Sequence, residues 1–282
     1  MDISIGIITY NDYSTLGSLL QSIQDQILNN VHIREVIIVS VLSNEKFINK
    51  TICEFNLRFR VLIEKSRKGK YSAVNLFLEN AESDILVLCS GDITLHEKCL
   101  ENLCKPLLNR KNGITSSRPK PFVDIKNPTG FAVNLVWNLH HEMSLAKPKF
   151  GELIAFRNLH FQIPKTSVDE EMIAREIISQ KYNSCYVPES VVYNKGPKTV
   201  IDYLNQRRRI YCGHLVLKKR YHYNVLTLNN FHIFKFLISK KIVRMKDILL
   251  ISYSIVLEGV SRLMGYLDYY RGKEQIKWTP PS

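Results

Sequence analysis

The sequence predicts an α/β protein in which a mostly parallel central sheet is flanked by helices. Two observations support this fold class: short apolar runs rich in β-branched residues, and helical patterns that separate these runs. Near-continuous apolar runs are typical of strands that are covered on both faces, as in parallel sheets. Because strands and helices alternate along the N-terminal part of the chain, an open α/β sheet is the expected arrangement.

The predicted strands lie at 3–8, 35–40, 60–64 and 84–90. Ser14 is the expected N-cap of the first helix. The apolar side chains that we expect to be buried recur at helical spacing in three segments: Leu16, Leu19, Leu20, Ile23 and Ile27; Ala73, Val74, Phe77, Leu78 and Ala81; and Leu100, Leu103, Leu107 and Leu108. Ligands of such sheets bind at the carboxyl ends of the strands.

The alternation becomes less regular in the second half of the chain. Residues 117–130 contain three prolines and are predicted to form a loop, and residues 168–180 are predicted to form a helix. We expect two short strands split by Pro188, and then a helix from Thr199 to Leu217. His140 and His141 are adjacent, so a regular helix cannot direct both to one metal ion.

Composition is typical of a folded soluble protein and argues against disorder, with 45% hydrophobic and 23% charged residues among 282. The six cysteines form no Cys-x-x-Cys pair, and we expect reduced, mainly buried thiols and therefore a cytoplasmic location. The N-terminus does not have the order of regions found in a signal peptide.

The formal net charge of +13 is concentrated at 206–223 and 239–246. Such clusters indicate an anionic partner, namely nucleic acid, acidic lipid headgroups or a phosphorylated substrate, and a solvated basic surface is the alternative. Residues 248–267 are long enough to cross a bilayer, but Glu258 and Arg262 interrupt them.

On a helix, this C-terminal segment would place apolar side chains on one face: Leu249, Tyr253, Val256, Val260, Leu263, Met264 and Leu267. We therefore predict a domain at 1–225, followed by an amphipathic helical extension at 226–282. The extension would either lie in the interface of an anionic membrane or pack against the core of the protein, and both interpretations are open.

Four segments resemble, in the expected order, motifs of the family 2 inverting glycosyltransferases, which have the GT-A fold. These segments are "ISIGIITYN" (3–11), "GKYSAVNLFLENAESDILVLCSGD" (69–92), "VDEE" (168–171) and "QRRRI" (206–210). The first segment is similar to the family's first strand with its Tyr-Asn, and the second to its Gly-Lys-x-x-Ala-x-Asn helix leading to Asp-x-Asp. The third is similar to the acidic pair that holds the base, and the fourth to the Gln-x-x-Arg-Trp signature of polymer-making members. The resemblance covers residues 3 to 217.

The resemblance implies a nucleotide-sugar donor and a divalent cation, Mg²⁺ or Mn²⁺. Asp92 is the expected metal ligand because hard cations prefer carboxylate oxygens, and Ser90 stands where the family has its first aspartate. Gly91 would allow the backbone to approach the diphosphate, and Lys70 and Arg67 would offset its charge. The implied donor-binding residues are Thr9, Tyr10, Asn11, Ser40, Arg67, Lys70, Ser90, Gly91, Asp92, Gln206 and Arg209.

Asp169 and Glu170 are the candidates for the base that takes a proton from the acceptor hydroxyl. Their order is the reverse of the family's acidic pair, and alignment of the Tyr-Val strand that follows places Glu170 at the position of the base. We therefore favour Glu170. Ile210 replaces the tryptophan of the fourth motif, which favours a single transfer over processive synthesis.

The leading interpretation is a glycosyltransferase that is peripheral on the cytoplasmic face of the membrane and acts on a lipid-linked or otherwise membrane-held glycan. One alternative keeps the enzyme class and takes polyprenyl phosphate as the acceptor. Another is a non-catalytic polyanion or nucleic-acid binder built on a decayed GT-A scaffold. No aromatic-interleaved RNA motif or helix-turn-helix is recognisable, so nucleic acid is not the expected partner.

Overall fold

The computed structural model describes residues 1–11, 14–228 and 245–277. These residues form two compact units. The first contains the described residues of 1–119 and 150–194 together with 276 and 277, and the second contains those of 120–149 and 195–275. Both units are discontinuous in sequence, whereas the division expected at residue 225 is continuous.

The strands are β1 (Asp2–Ile8), β2 (His32–Val41), β3 (Phe59–Glu64), β4 (Ile85–Ser90), β5 (Ile93–Leu95), β6 (Asn112–Pro121), β7 (Leu153–Arg157) and β8 (Asn183–Asn194). The helices of the first unit are α1 (Leu16–Gln24), α2 (Glu45–Ile52), α3 (Lys70–Asn80), α4 (Cys99–Cys104) and α6 (Asp169–Ser179). The second unit contains α5 (Pro128–Ala146), α7 (Val200–Tyr221) and α8 (Met245–Tyr270). Short 3-10 turns lie at Leu42–Asn44, Lys105–Leu108 and Leu226–Leu228.

Within the described chain, the strands form one eight-stranded sheet in the order β3-β2-β1-β4-β7-β6-β8-β5. The first four strands of this order are parallel, and β7 pairs with β4 and β6 in antiparallel fashion, as β5 does with β8. The predicted α/β fold class is confirmed. Because β1, β2 and β4 are parallel neighbours, their carboxyl ends meet at one edge of the sheet.

The apolar runs of β1, β2 and β4 are buried on both faces, as their composition predicts, whereas β3 at the edge of the sheet is only partly buried. Ile3, Ile5 and Ile7 of β1 are at most 1% exposed, and α1 and α3 bury their apolar faces against the sheet. Gly6 allows the closest approach, because a Cβ atom there would stand 2.6 Å from the ring of Phe77 on α3. A side chain at position 6 would therefore push α3 away from β1.

Several predicted helix ends differ from the observed ones. α1 begins at Leu16, with Thr15 and not Ser14 at the N-cap position, and the hydroxyl of Thr15 donates a hydrogen bond to the carbonyl of Gly91 instead of capping the helix. Ile27 lies beyond the end of α1 and is exposed. Leu108 is exposed in the 3-10 turn after α4, and Ala81 follows the last residue of α3.

Two predictions based on proline were wrong. Residues 117–121 belong to β6, and α5 begins at Pro128 with the side chain of Asn127 as its cap. β8 runs through Pro188 as one strand. Pro188 lies outside residues 192–194, which pair with β5.

The later helices agree better with the prediction. α6 coincides with the predicted helix, and α7 begins where expected, since the hydroxyl of Thr199 accepts a hydrogen bond from the N–H of Asp202. α7 continues to Tyr221, beyond the predicted end at Leu217. In the second unit α7 packs along α8, where a Cβ atom on Gly265 would stand 2.6 Å from the carbonyl oxygen of Arg208.

Candidate functional site

A cleft of about 120 Å³ opens at the carboxyl ends of β1, β2 and β4. This is the edge at which an α/β sheet is expected to bind its ligand. Eight of the residues predicted to bind the donor line the cleft: Thr9, Tyr10, Ser40, Arg67, Lys70, Ser90, Gly91 and Asp92. The tertiary structure thus brings together side chains that the sequence separates widely.

At the end of β1, Tyr10 and Arg67 form one wall of the cleft. The guanidinium carbon of Arg67 lies 3.8 Å from the centroid of the Tyr10 ring, within the range of a cation–π contact. Asn11 follows with a positive φ of 59°, which asparagine tolerates better than most residues. Asn11 is not among the residues that line the cleft, and its contact with the donor stays a prediction.

Ser40 is buried at the end of β2, and its hydroxyl has partners within the protein. It donates a hydrogen bond to the carbonyl of Thr9 (2.9 Å) and accepts one from the side-chain amide of Asn44 (3.1 Å). Ser40 therefore holds the end of β1 against β2. Asn44 is itself only 2% exposed, so this small network forms part of the cleft floor.

Lys70 begins α3, and Gly69 directly precedes it with a φ of +126°. This backbone conformation favours glycine. The side chain of Ile276 also leaves no room for a Cβ atom at Gly69, because Cγ2 of Ile276 would lie 2.6 Å away. Gly69 is thus required both by its dihedral angle and by the close approach of Ile276.

The ammonium group of Lys70 forms an ion pair with Glu170, at the start of α6. Burial alone would lower the pKa of Lys70, but the negative charges of Glu170, Asp169 and Glu152 raise it above its ordinary value. Lys70 therefore keeps its positive charge in the cleft. Asp169 is 1% exposed, whereas the side chain of Glu170 is 14% exposed.

Glu152 is a member of the site that the sequence reasoning missed. It directly precedes β7, and its carbonyl accepts a hydrogen bond from the N–H of Ser90 (3.0 Å). Burial raises the pKa of Glu152 to about 8; the charges of Asp92 and Glu170 act in the same direction, and Lys70 opposes them. No motif contains Glu152, so only its position across the sheet from Ser90 identifies it.

The oxygen groups around Asp92 fit a divalent cation. Asp92 and Glu152 offer carboxylates, and Mg²⁺ and Mn²⁺ are held by such hard donors. Asn194, which is 4% exposed, has a side-chain Oδ1 atom that lacks a hydrogen-bond partner among the described residues. The described part of the chain contains no group of three His, Cys, Asp or Glu side chains placed to hold a metal, so the remaining ligands would be phosphate oxygens or water.

Gln206 and Arg209 lie on α7 in the second unit and do not line the cleft. Their neighbours Arg207 and Arg208 form ion pairs with Glu258 and Asp268 on α8. Two arginines of the predicted basic cluster therefore stabilise the second unit, and the roles of Gln206 and Arg209 in donor binding stay predictions.

His140 and His214 are buried in the second unit. Burial lowers the pKa of both imidazoles well below the ordinary value, and the positive charges of Lys149 and Arg207 add to this effect. The ring of His140 contacts that of Trp137, at 5.2 Å between centroids. Such surroundings indicate structural histidines.

Two solved structures with a similar fold are glycosyltransferases. A mannosyltransferase from Pyrobaculum calidifontis, PcManGT, solved in complex with GDP-Man and Mn²⁺, is 18% identical and superposes with a TM-score of 0.69 over 96% of this chain and 88% of its own. Glucosyl-3-phosphoglycerate synthase from Mycobacterium tuberculosis, with Mg²⁺ and UDP, is 16% identical with a TM-score of 0.53 over 77% and 78% of the two chains. At these identities the likeness concerns the fold.

No curated protein sequence matches the chain significantly. Residues 4–173 match the family model described as glycosyl transferase family 2, which is more than half of the chain. The matched segment contains β1, the cleft and the start of α6. The chain therefore belongs to glycosyl transferase family 2.

Proposed function

We propose that this protein transfers a hexosyl group, with inversion, from a nucleotide-diphosphate sugar to a lipid-linked or otherwise membrane-held glycan, in a single transfer at the cytoplasmic face of the membrane. The donor half of the proposal rests on the cleft, where Lys70, Arg67 and Asp92 lie together. Cationic side chains and a metal-binding carboxylate suit a diphosphate leaving group. Thr9 and Gly91 line the same cleft with backbone atoms and Tyr10 lines it with its ring, and the donor would contact these surfaces.

Glu170 is the proposed base. Its carboxylate would accept the proton of the acceptor hydroxyl while the oxygen forms a bond to the anomeric carbon and the bond from that carbon to the diphosphate breaks. Glu170 is the more exposed of the two candidates, which supports this role over Asp169. A divalent cation, when bound beside Asp92, supplies positive charge to the departing diphosphate.

The membrane half of the proposal rests on the outward face of α8. The large apolar side chains exposed on this helix follow helical spacing: Ile248, Leu249, Ile255, Val256, Val260, Leu263, Tyr266, Leu267 and Tyr270. The other exposed positions of the described helix are Ser252 and Gly259. We call these eleven positions the α8 stripe; it contains no charged residue.

The opposite face of α8 is buried and, apart from Leu257, is largely polar. Ser254, Ser261 and Asp268 are at most 4% exposed, and Glu258 is held by the guanidinium group of Arg207. This arrangement is the reverse of a core helix, which turns its apolar face inward. Asp247–Tyr270 is long and apolar enough to cross a membrane by length and composition, yet its polar face packs on α7, so we propose that it lies in the plane of the interface.

Exposed basic residues extend this surface in the second unit. Lys218, Lys219 and Arg220 are exposed in the last turn of α7, and Lys219 and Arg220 border the same shallow pocket as Tyr269 of α8. Acidic lipid headgroups attract such residues. The basic residues at 240, 241 and 244, on which the sequence prediction also relied, lie outside the described residues.

The donor half is tested by thermal unfolding with GDP-mannose and UDP-sugars, with and without Mn²⁺ or Mg²⁺. We expect a metal-dependent rise in Tm that Asp92→Ala abolishes. Stabilisation without metal would indicate a cation-free site that uses Lys70 and Arg67. A protein that no nucleotide-sugar stabilises, and whose nucleic-acid affinity falls steeply with salt, would be a polyanion binder instead.

The membrane half is tested by flotation of the full chain with phosphatidylglycerol vesicles. Val256→Glu combined with Leu263→Glu should weaken vesicle binding at least about ten-fold, because each apolar side chain contributes roughly 1.5–3 kcal/mol when buried. The control is Ile201→Glu on α7, an equally exposed apolar position outside the α8 stripe. If the double variant floats like the unmodified protein, α8 does not bind the membrane.

The product then identifies the acceptor. A sugar linked through phosphate to a polyprenyl lipid is labile to mild acid, whereas a glycosidic bond to a glycan survives it. A labile product would replace the glycan acceptor with polyprenyl phosphate and leave the donor half unchanged.

A further inference from the structure

Two strand registers bring Glu152 and Asn194 to the segment Ser90–Asp92. β4 and β7 are antiparallel, with Cys89 opposite Leu153, so the next pair in the ladder is Ser90 and Glu152. The hydrogen bond from the N–H of Ser90 to the carbonyl of Glu152 (3.0 Å) extends the ladder to this pair. In the same way, β5 and β8 place Asn194 opposite Ile93, the residue after Asp92.

The backbone of Glu152 has an uncommon conformation. Its φ is +58°, and the N–H of Leu153 donates to the carbonyl of Gly151 (2.7 Å), which closes a tight turn around Glu152. A left-handed conformation at a residue other than glycine is unfavourable by roughly 1 kcal/mol or more and persists where the surroundings hold it. Here the surroundings fix the backbone from which the carboxylate of Glu152 projects.

The side chain of Glu152 is held in place by Asn194. The amide Nδ2 of Asn194 donates to the Oε1 atom of Glu152 (3.0 Å). With its nitrogen directed to the carboxylate, Asn194 has its Oδ1 atom buried without a hydrogen-bond partner among the described residues. A buried carbonyl oxygen of this kind needs a cation, a water molecule or a donor to satisfy it.

Acidic side chains also outnumber basic ones at this edge. Glu152 interacts with the carboxylates of Asp92 and Glu170, and the ammonium group that opposes them is that of Lys70, which is already paired with Glu170. Carboxylates that converge in this way attract a cation. Asp92 and Glu152 both belong to this acidic group.

We propose that Glu152 supplies the carboxylate that Ser90 lacks, and that Glu152 and Asp92 together bind the divalent cation of the donor cleft. In the family motif this carboxylate is at the position of Ser90 on β4. Here it would come from Glu152, which lies opposite Ser90 and directly precedes β7. This inference rests on the proposed nucleotide-sugar chemistry. It adds Glu152 as a ligand and Asn194 as the residue that orients it.

The test measures Mn²⁺ affinity of the full chain from the electron paramagnetic resonance signal of free Mn²⁺, first alone and then with GDP or UDP. Glu152→Gln should weaken Mn²⁺ binding at least about ten-fold, because loss of even an outer-shell partner typically weakens binding 10- to 100-fold. Asp92→Asn should do the same. The control is Glu97→Gln, which removes an exposed carboxylate five positions after Asp92 and should leave the affinity unchanged.

A carboxylate exchange separates ligation from a structural role. The double variant Ser90→Asp with Glu152→Gln has its carboxylate at position 90 on β4 in place of position 152, and it should recover most of the lost Mn²⁺ affinity. In EDTA, Glu152→Gln should unfold at the same temperature as the unmodified protein or higher, since glutamine still accepts from Asn194 and removes a charge beside Asp92.

Unchanged Mn²⁺ affinity in Glu152→Gln, or an unmodified protein that binds no Mn²⁺, would overturn this inference. Loss of affinity that Ser90→Asp does not restore, together with a lower unfolding temperature in EDTA, would also overturn it and indicate a structural role. A protein that binds Mn²⁺ through Glu152 but neither GDP, UDP nor a nucleotide-sugar would retain the cation site and contradict the proposed function.

Discussion

The ammonium group of Lys70 at the start of α3 donates a hydrogen bond to the carboxylate of Glu170 in the first turn of α6. The two residues are 100 positions apart in the sequence. Lys70 lines the cleft that we propose for the donor, and Glu170 is the proposed base. The contact therefore joins a residue that would offset the charge of the donor diphosphate to the residue that would take the proton of the acceptor hydroxyl. A change at either residue should therefore affect catalysis.

Glu170→Gln should lower kcat by about 10²- to 10⁴-fold, the range expected when a general base is removed. The measurement is release of GDP or UDP from a nucleotide-sugar in the presence of a membrane lipid extract. Because glutamine preserves the shape of the side chain, Mn²⁺-dependent nucleotide binding should stay within a few-fold of the unmodified protein. Asp169→Asn is the comparison. If Asp169→Asn abolishes turnover while Glu170→Gln retains it, Asp169 is the base.

Gly69→Ala should destabilise the protein by about 1–3 kcal/mol, because alanine is strained at a φ of +126° and its Cβ atom would meet Ile276. The same change should weaken nucleotide binding, since Gly69 sets the position of Lys70. Gly17→Ala in α1 is the matched control: no atom lies within 4 Å of its added Cβ atom. In urea unfolding, the control should be neutral or stabilising by up to ~1 kcal/mol, and an equal effect at both positions would contradict the argument.

Arg207→Met should destabilise the second unit by about 2–3 kcal/mol, because it leaves the carboxylate of Glu258 with fewer hydrogen bonds. Arg207 donates two hydrogen bonds to Glu258, at 2.9 and 2.8 Å, and Arg262 donates a third at 2.9 Å. Burial alone would raise the pKa of Glu258, but the guanidinium groups of Arg207 and Arg262 lower it below its ordinary value.

A double-mutant cycle checks this prediction by chemical denaturation. Arg207→Met combined with Glu258→Gln should be less destabilised than the sum of the two single variants, since the second change removes the charge that the first left with Arg262 as its remaining arginine partner. Strict additivity would show that the ion pair does not contribute to stability.

The free energy of unfolding should fall as the pH decreases from about 7 to 5.5. Burial and the charges of Lys149 and Arg207 hold the pKa of His140 and of His214 well below 6.5, so both stay neutral in the folded state. The unfolded chain binds protons near pH 6.5, and stability that is present above this pH is lost below it. The slope approaches about 1.4 kcal/mol per pH unit for each histidine.

Urea titrations at several pH values measure this slope. Each of His140→Gln and His214→Gln should reduce it, whereas His96→Gln, at an exposed position, should retain it. A slope that neither buried substitution changes would mean that other groups control the pH dependence in this range.

The sequence was informative wherever local periodicity and burial agree. β1, β2 and β4 could be predicted because their apolar runs are buried on both faces, and β3, whose residues are only partly buried, was predicted from its β-branched apolar run. Thr199 marked the start of α7 because its side chain caps the helix locally. Prolines misled the prediction at β6 and β8, since a single missing N–H matters only where a neighbouring strand needs it. The amphipathic pattern of α8 was predicted too, but the sequence did not predict which face of the helix is buried.

The sequence by itself determined the α/β class, through the alternation of apolar runs and helical patterns, and the family, through short motifs in order along the chain. It also predicted residues that line the cleft, because Tyr10, Lys70 and Asp92 lie within those motifs. Only the tertiary structure decided that α8 turns its polar face inward, since Arg207 and Arg208 on another helix satisfy Glu258 and Asp268. It also brought Glu152 opposite Ser90. Strand register is set by contacts between segments that are distant in the sequence. The motif that ends in Ser90–Asp92 therefore cannot show that Glu152 lies opposite Ser90.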